Sequence, residues 1–376
     1  MLINRPPQAA GRLTPEQVVA EARRGEAAGF DILSFADWAV GDPFPPLMLV
    51  AQATERAALM TRVVGSATRS PVLLASGAGW VDRASGGRFI LGLGASIADV
   101  VSGRHGLPWG KPATRMEETL KLIRALWGED IPGVERNPDG SLRFPGREIR
   151  AERAFVDILP ARRPPLLVAA SGPRMLQIAG AWADGVILEL TTPAYVRWAV
   201  ERVREGAAQT GRSLAGFEVC VQSSITVESD DPATARQRQW ALDFYINHCV
   251  YPEFKHLWPA AGLEAEAAAV KAAVEAGDRE RAGRLVRETI LPQMVVWGAK
   301  EDTPALLLEW IGARIDAGAT MFSLPTNVAE VAGIDLAAIR RAADARQAAL
   351  LAKGAARYQS TVSGSKTGTE PSSVGR

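Results

Sequence analysis

The chain has 376 residues, 47% of them hydrophobic, enough apolar material for one large core or two ordinary domains. Lys and Arg number 43 against 42 Asp and Glu, a formal net charge of +1, which gives no bulk electrostatic reason to bind nucleic acid or an anionic membrane and turns attention to small molecules. Cys220 and Cys249 are the only cysteines, no charged start leads into an apolar leader, and no stretch approaches the ~18 uncharged apolar residues of a spanning helix, so a reduced, cytoplasmic protein is expected.

Met1 to Asn4 reads as a first strand that ends at Pro6-Pro7. Thr14-Pro15-Glu16-Gln17 then supplies an N-cap, a proline at the first helical position and a capping-box glutamine, and Gly29 supplies the stop. Phe30 to Phe35 is a second strand, with Asp37-Trp38 at its carboxyl end before the proline-rich loop 42–46. A helix is expected from about Leu47 to Leu59, a third strand from Arg62 to Thr68, and a helix from Ser70 to Arg83. The stretch Ser85 to Ser96 reads as a buried fourth strand, Arg88 to Leu93, delivering the small-residue loop Gly94-Ala95-Ser96. A dinucleotide fingerprint would need glycine where Ile97 stands, so that reading fails, and a tight turn without ligand is the plain alternative. Met116, Leu120, Ile123 and Trp127 keep helical spacing.

From Gly128 to Pro165 prolines and glycines break the pattern into an inserted excursion with room for a hairpin. Alternation resumes with Leu166 to Ala170 (strand), Arg174 to Trp182 (helix), Gly185 to Leu190 (strand), Pro193 to Gln209 (helix) and Phe217 to Val227 (strand). Ala233 to Ile290 is helical in composition and longer than one crossover needs, a second excursion. Thr303-Pro304 opens a last helix, and Met321 to Leu324 is the eighth strand. Eight apolar strands separated by helices predict an α/β protein, a closed (β/α)8 TIM barrel with excursions between strands 4 and 5 and between strands 7 and 8; an open doubly wound sheet is the alternative. Residues 1–355 read as one domain, and 356–376, rich in Ser, Gly and Thr, as a disordered tail.

In a parallel barrel, ligands meet the carboxyl ends of the strands. Ser171-Gly172-Pro173-Arg174-Met175 follows a strand and opens a helix there, so unpaired N–H groups and the dipole would stabilise a phosphate, with the Ser171 hydroxyl and Arg174 as further donors. Ser171 reads equally as a simple N-cap. Gly65-Ser66-Ala67 is small enough for a flat ring to lie on the backbone, or for close strand packing. Asp37 can orient a ligand or act as a base, or cap a helix; Glu189 can act as an acid or sit in a structural salt bridge. Trp38, Phe44 and Trp109 put aromatic bulk where a substrate pocket would be walled, whereas Trp80 sits at helical spacing and reads as core. His105, His248 and His256 show no H-E-x-x-H spacing and no cysteine pairing, so no metal site is expected.

Five motifs occur here in the order seen in luciferase-like monooxygenases: Arg69 to Ala75, Ser85 to Ser96, Val168 to Leu176, Ala183 to Ile187, and Trp297-Gly298-Ala299 with Thr303-Pro304 and Asp316 to Ala319. The chain resembles that family, and most its F-420-dependent branch, which includes methylenetetrahydromethanopterin reductase. The resemblance implies a barrel that binds the deazaflavin coenzyme F-420, or FMN, at the mouth. The phosphate would lie on Ser171, Gly172, Arg174 and Met175, the ring against Ser66 and Ala67 beside a non-proline cis peptide, and Gly94, Ala95 and Ser96 near its polar side. It implies hydride transfer between the cofactor and a small-molecule substrate, with Asp37 the polar residue nearest the ring, a separate cofactor reductase as partner and a homodimer. An FMN-dependent two-component monooxygenase and a non-catalytic flavin-binding barrel are the alternatives. One departure stands out: relatives often carry Asp-His after the second strand, and here Trp38 follows Asp37. An indole N–H donates a hydrogen bond but cannot relay a proton.

Overall fold

A computed structural model describes residues 1–5, 13–37, 41–227, 232–325 and 334–349. Trp38 and the expected tail, 356–376, lie outside the described residues. Eight parallel strands close on themselves: β1 (Leu2–Arg5), β2 (Ile32–Phe35), β3 (Ala58–Thr61), β5 (Phe89–Gly94), β9 (Leu166–Ala169), β10 (Gly185–Leu188), β11 (Glu218–Gln222) and β14 (Met321–Pro325). Pairing of β14 with β1 closes one side and of β3 with β5 the other, which makes the expected (β/α)8 barrel and removes the open sheet from consideration.

The outer ring contains α1 (Pro15–Ala27), α2 (Phe44–Ala53), α3 (Pro71–Ala84), α4 (Pro112–Leu126), α5 (Pro173–Trp182) and α6 (Pro193–Gln209). The capping box forms as expected: Thr14 N donates to Gln17 Oε1 at 2.8 Å and Gln17 N to Thr14 Oγ1 at 3.3 Å. Strand alternation sorts the core into two layers. Ile3, Ile32, Met60, Leu167, Ile187, Cys220 and Met321 point inward and, with Ile90, plug the barrel with one side chain from each strand. Their neighbours, among them Leu33, Leu59, Leu91, Val186 and Val219, pack outward under the helices.

Both excursions fall where expected. The first holds a three-stranded antiparallel sheet, β6 (Glu135–Arg136), β7 (Leu142–Pro145) and β8 (Arg150–Ala154). The second runs through α7 (Pro232–Val250), α8 (Leu257–Ala261), α9 (Glu264–Glu275), α10 (Arg279–Leu285) and α11 (Leu291–Met294). It returns by β13 (Val296–Gly298), which pairs with β12 (Ile225–Val227), and by α12 (Thr303–Asp316).

Several boundaries move. The helix expected to Leu59 stops at Ala53, and Ala58 to Thr61 is the third strand, because Met60 belongs to the inward plug. The short β4 (Val64–Gly65) pairs only with β5, and the strand expected over Phe217 to Val227 divides into β11 in the barrel and β12 outside it. Trp80 is 55% exposed, not core: α3 turns Leu74, Ala75, Ala78 and Val81 inward.

A candidate active site at the barrel mouth

Above the plug the barrel changes character. Arg62, just past β3, turns inward with only 8% exposure. Its Nη1 donates to Gln222 Oε1 at 2.6 Å, its Nε approaches Ser34 Oγ at 3.4 Å, and Gln222 Nε2 donates to Glu189 Oε1 at 3.0 Å. Burial lowers the Arg62 pKa, and Cys220 and Glu189 act against that shift. Four strand ends thus share one polar chain over an apolar floor. Glu189 is not in a direct ion pair within 4 Å among the described residues; it reaches Arg62 through Gln222.

The bulge after β3 is where the sequence expectation needs its largest correction. The cis peptide is Arg62–Val63, not a bond at Ser66-Ala67, because β3 ends at Thr61 and the chain turns immediately after it. Asp37 is tied to this bulge: its N–H donates to Val63 O at 3.1 Å and its Oδ2 accepts from Gly65 N at 2.8 Å. The glycines opposite make room for protein. A Cβ on Gly92 would lie 2.1 Å from Thr61 O, and one on Gly94 would lie 2.5 Å from Val63 Cγ2. Ser66 is buried beside them, its N–H on Gly94 O at 2.9 Å and its Oγ without a partner.

Two described non-glycine residues have left-handed backbone, Ser96 (φ 65°) and Leu190 (φ 55°), and both follow barrel strands at the mouth. Such conformations cost of order 1–3 kcal/mol and cluster at functional sites. Ala95 is half-buried and Ser96 exposed in the same loop.

The Ser171 loop delivers an open helix terminus. Gly172 is the N-cap of α5 with no side-chain cap, and Pro173 is its first residue. A Cβ on Gly172 would meet only His256 Cδ2, at 3.8 Å. Arg174 donates to Thr114 Oγ1 at 3.2 Å and has no ion pair within 4 Å among the described residues. Met175 packs on the core, and the Ser171 Oγ is 3.5 Å from Glu253 O. Tyr195 holds the loop from below through the carbonyls of Ala170 and Ser171, at 3.3 and 3.2 Å.

The second excursion leans over these loops. Glu253 Oε1 accepts from Ala98 N at 3.3 Å, so one residue touches the loops after β5 and β9. Beside it His248 packs between Phe244 and Phe254, ring centroids 4.0 and 4.4 Å away, and Glu189 acts on it electrostatically. Phe44, expected at the pocket wall, is buried instead against Phe89 and the Gly77 backbone, because it opens the apolar face of α2. Trp109 is half-buried in the loop before α4, and His105 is exposed. A groove of about 850 Å³ lies among α7, β13 and α12 and shares none of these residues. No group of three or more metal-ligating side chains occurs among the described residues.

A parallel barrel with an apolar floor, a buried polar rim and an open helix terminus is the architecture of a barrel enzyme that takes its ligands at the carboxyl ends of the strands. The model of the luciferase-like monooxygenase family matches residues 2–321, and the chain belongs to that family and is an oxidoreductase. It is 26% identical over 337 residues, 88% of this chain and 96% of the other, to a Mycobacterium tuberculosis protein provisionally named a coenzyme F-420-dependent oxidoreductase. It is 27% identical over 304 residues, 80% of this chain and 86% of the other, to 5,10-methylenetetrahydromethanopterin reductase of Methanolobus tindarius. Among solved structures, the F-420-dependent tetrahydromethanopterin reductase of Methanopyrus kandleri superposes with a TM-score of 0.68 at 22% identity, over 87% of this chain and 93% of that one.

Proposed function

We propose that this chain is a deazaflavin-dependent oxidoreductase that exchanges a hydride between F-420 and a small organic substrate at the barrel mouth. The carrying observation is the α5 terminus: an uncapped first turn, a glycine whose nearest neighbour is the edge of the His256 ring and an arginine without an ion pair among the described residues suit an anionic phosphate tail. The orphaned Ser66 Oγ, buried beside the bulge, suits a polar edge of the ring. The relatives named for F-420 support the choice of cofactor. When bound, the cofactor supplies the carbon that gives or takes hydride.

The protein's own contribution is orientation and exclusion of water. Ser171, Gly172 and Arg174 hold the phosphate, and Ala95 and Ser96 line the ring's polar side. Asp37 fixes the Val63–Gly65 bulge against which the ring would rest. The reading treats 1–355 as one domain in a reducing cytoplasm, consistent with two buried free thiols. It includes a homodimer through α3, where Leu73 and Trp80 are 57% and 55% exposed. The direct test follows the oxidised and reduced cofactor spectra during turnover with reduced F-420 under argon and with reduced FMN in air. Turnover with F-420 alone supports the proposal; turnover only with FMN and oxygen, with oxygen entering the product, replaces it with a monooxygenase.

A further inference from the structure

The second barrel strand brings no histidine to the mouth, since Trp38 follows Asp37. The excursion brings one from a part of the chain 210 residues further on, by the difference of the two positions, 248 and 38. His248 lies in the last turn of α7, and its Nδ1 is 2.7 Å from Phe244 O. A carbonyl can only accept, so Nδ1 carries the hydrogen and the neutral ring keeps its lone pair on Nε2. That nitrogen makes no hydrogen bond to any described residue.

The ring is held. Phe244 and Phe254 flank it, Tyr251 meets it edge-on at 5.8 Å, and Trp258 Nε1 donates to His248 O at 3.1 Å. Glu189 beyond β10 acts on the ring electrostatically and itself interacts with Arg62 beyond β3 and Tyr195 on α6, while from its own excursion Tyr251 meets the ring and Glu253 precedes the flanking Phe254. Burial lowers the His248 pKa, with Glu189 opposing, so the ring is uncharged at pH 7 and takes a proton only below its ordinary value of about 6.5.

We propose that His248 is the base of the mouth, its Nε2 taking the proton from a substrate hydroxyl while hydride leaves the carbon that bears it. The inference rests on the deazaflavin reading above. The C–H bond breaks with both electrons, which reduce the oxidised deazaflavin; the O–H bond breaks, its proton goes to Nε2, and a carbonyl forms. Glu189 then faces an imidazolium, which passes the proton to water. In the reverse direction the same nitrogen returns the proton.

The test has two arms. In ¹⁵N-labelled cofactor-free protein, the His248 imidazole should be the Nδ1–H tautomer at pH 7, with a midpoint below 6.5 that falls further in Glu189→Gln. A neutral ring protonated on Nε2, or a ring already charged at pH 7, overturns the proposal whether or not cofactor binds. In the second arm, His248→Gln and His248→Phe should bind F-420 as the parent does and lose at least ~100-fold in kcat for alcohol oxidation, together with the acid limb of the pH profile. Unchanged kcat with F-420 still bound rejects His248 and leaves the cofactor reading standing. Absence of F-420 binding in the parent protein rejects the cofactor reading instead, and with it the reaction assigned to His248.

Discussion

The lower and upper halves of the barrel are built from the same eight strands and follow opposite rules. Below, inward positions are Ile, Leu, Met and one cysteine, packed without a polar contact; burial pushes the Cys220 thiol up to about 12. Above, the next inward positions are Ser34, Arg62, Glu189 and Gln222, which satisfy one another across the mouth. The lower half is stabilised by removing apolar surface from water, and the upper half keeps buried polar groups at a cost that only mutual hydrogen bonding offsets. Stability and function are thereby separated along one axis.

The largest effect that would test this contrast is in the plug. Met60→Ala should destabilise the fold by about 2–5 kcal/mol in denaturant unfolding and leave cofactor affinity per folded molecule unchanged. Gly92→Ala, at the junction of the halves, should cost about 1–3 kcal/mol because the added carbon meets the Thr61 carbonyl, and should also weaken cofactor binding by shifting the bulge. Gln222→Leu should cost about 1–3 kcal/mol, since Arg62 Nη1 and Glu189 both lose their partner, with activity falling further than stability. His248, whose folded pKa is depressed, should contribute stability above pH 6.5 that is lost as pH falls, and His248→Gln should remove that part of the acid slope. The smallest change in stability, within about 0.5 kcal/mol, is expected for the exposed Arg174→Ala, seen as an unchanged denaturation midpoint.

The lower half was legible in the sequence because period-two apolar strands and capped helices carry their signal locally. Even there the Ala57 to Met60 run fits a helix and a strand equally, and only the closed barrel, which turns Met60 inward, decides between them. The upper half was legible only where a loop announces itself, as Ser171 to Arg174 does before α5. Arg62 looked like the polar start of a strand, and its partner Gln222 lies 160 residues away, a pairing that barrel closure alone creates. Gly94 reads as part of a ligand loop, but Val63 fills the space it leaves, as Thr61 does beside Gly92. His248 had no signal at all: nothing local distinguishes a helix-end histidine under Glu189 from a solvated one.

The central claim is that the mouth holds a deazaflavin by its phosphate at the start of α5. Equilibrium binding of purified apoprotein to F-420 and to FMN, side by side by fluorescence quenching, with Arg174→Glu as the comparison, addresses it most directly. The account expects saturable, selective binding of F-420 and at least ~10-fold weaker binding in Arg174→Glu, about 1.4 kcal/mol. Binding of neither cofactor, or F-420 affinity indifferent to the charge at position 174, would contradict it.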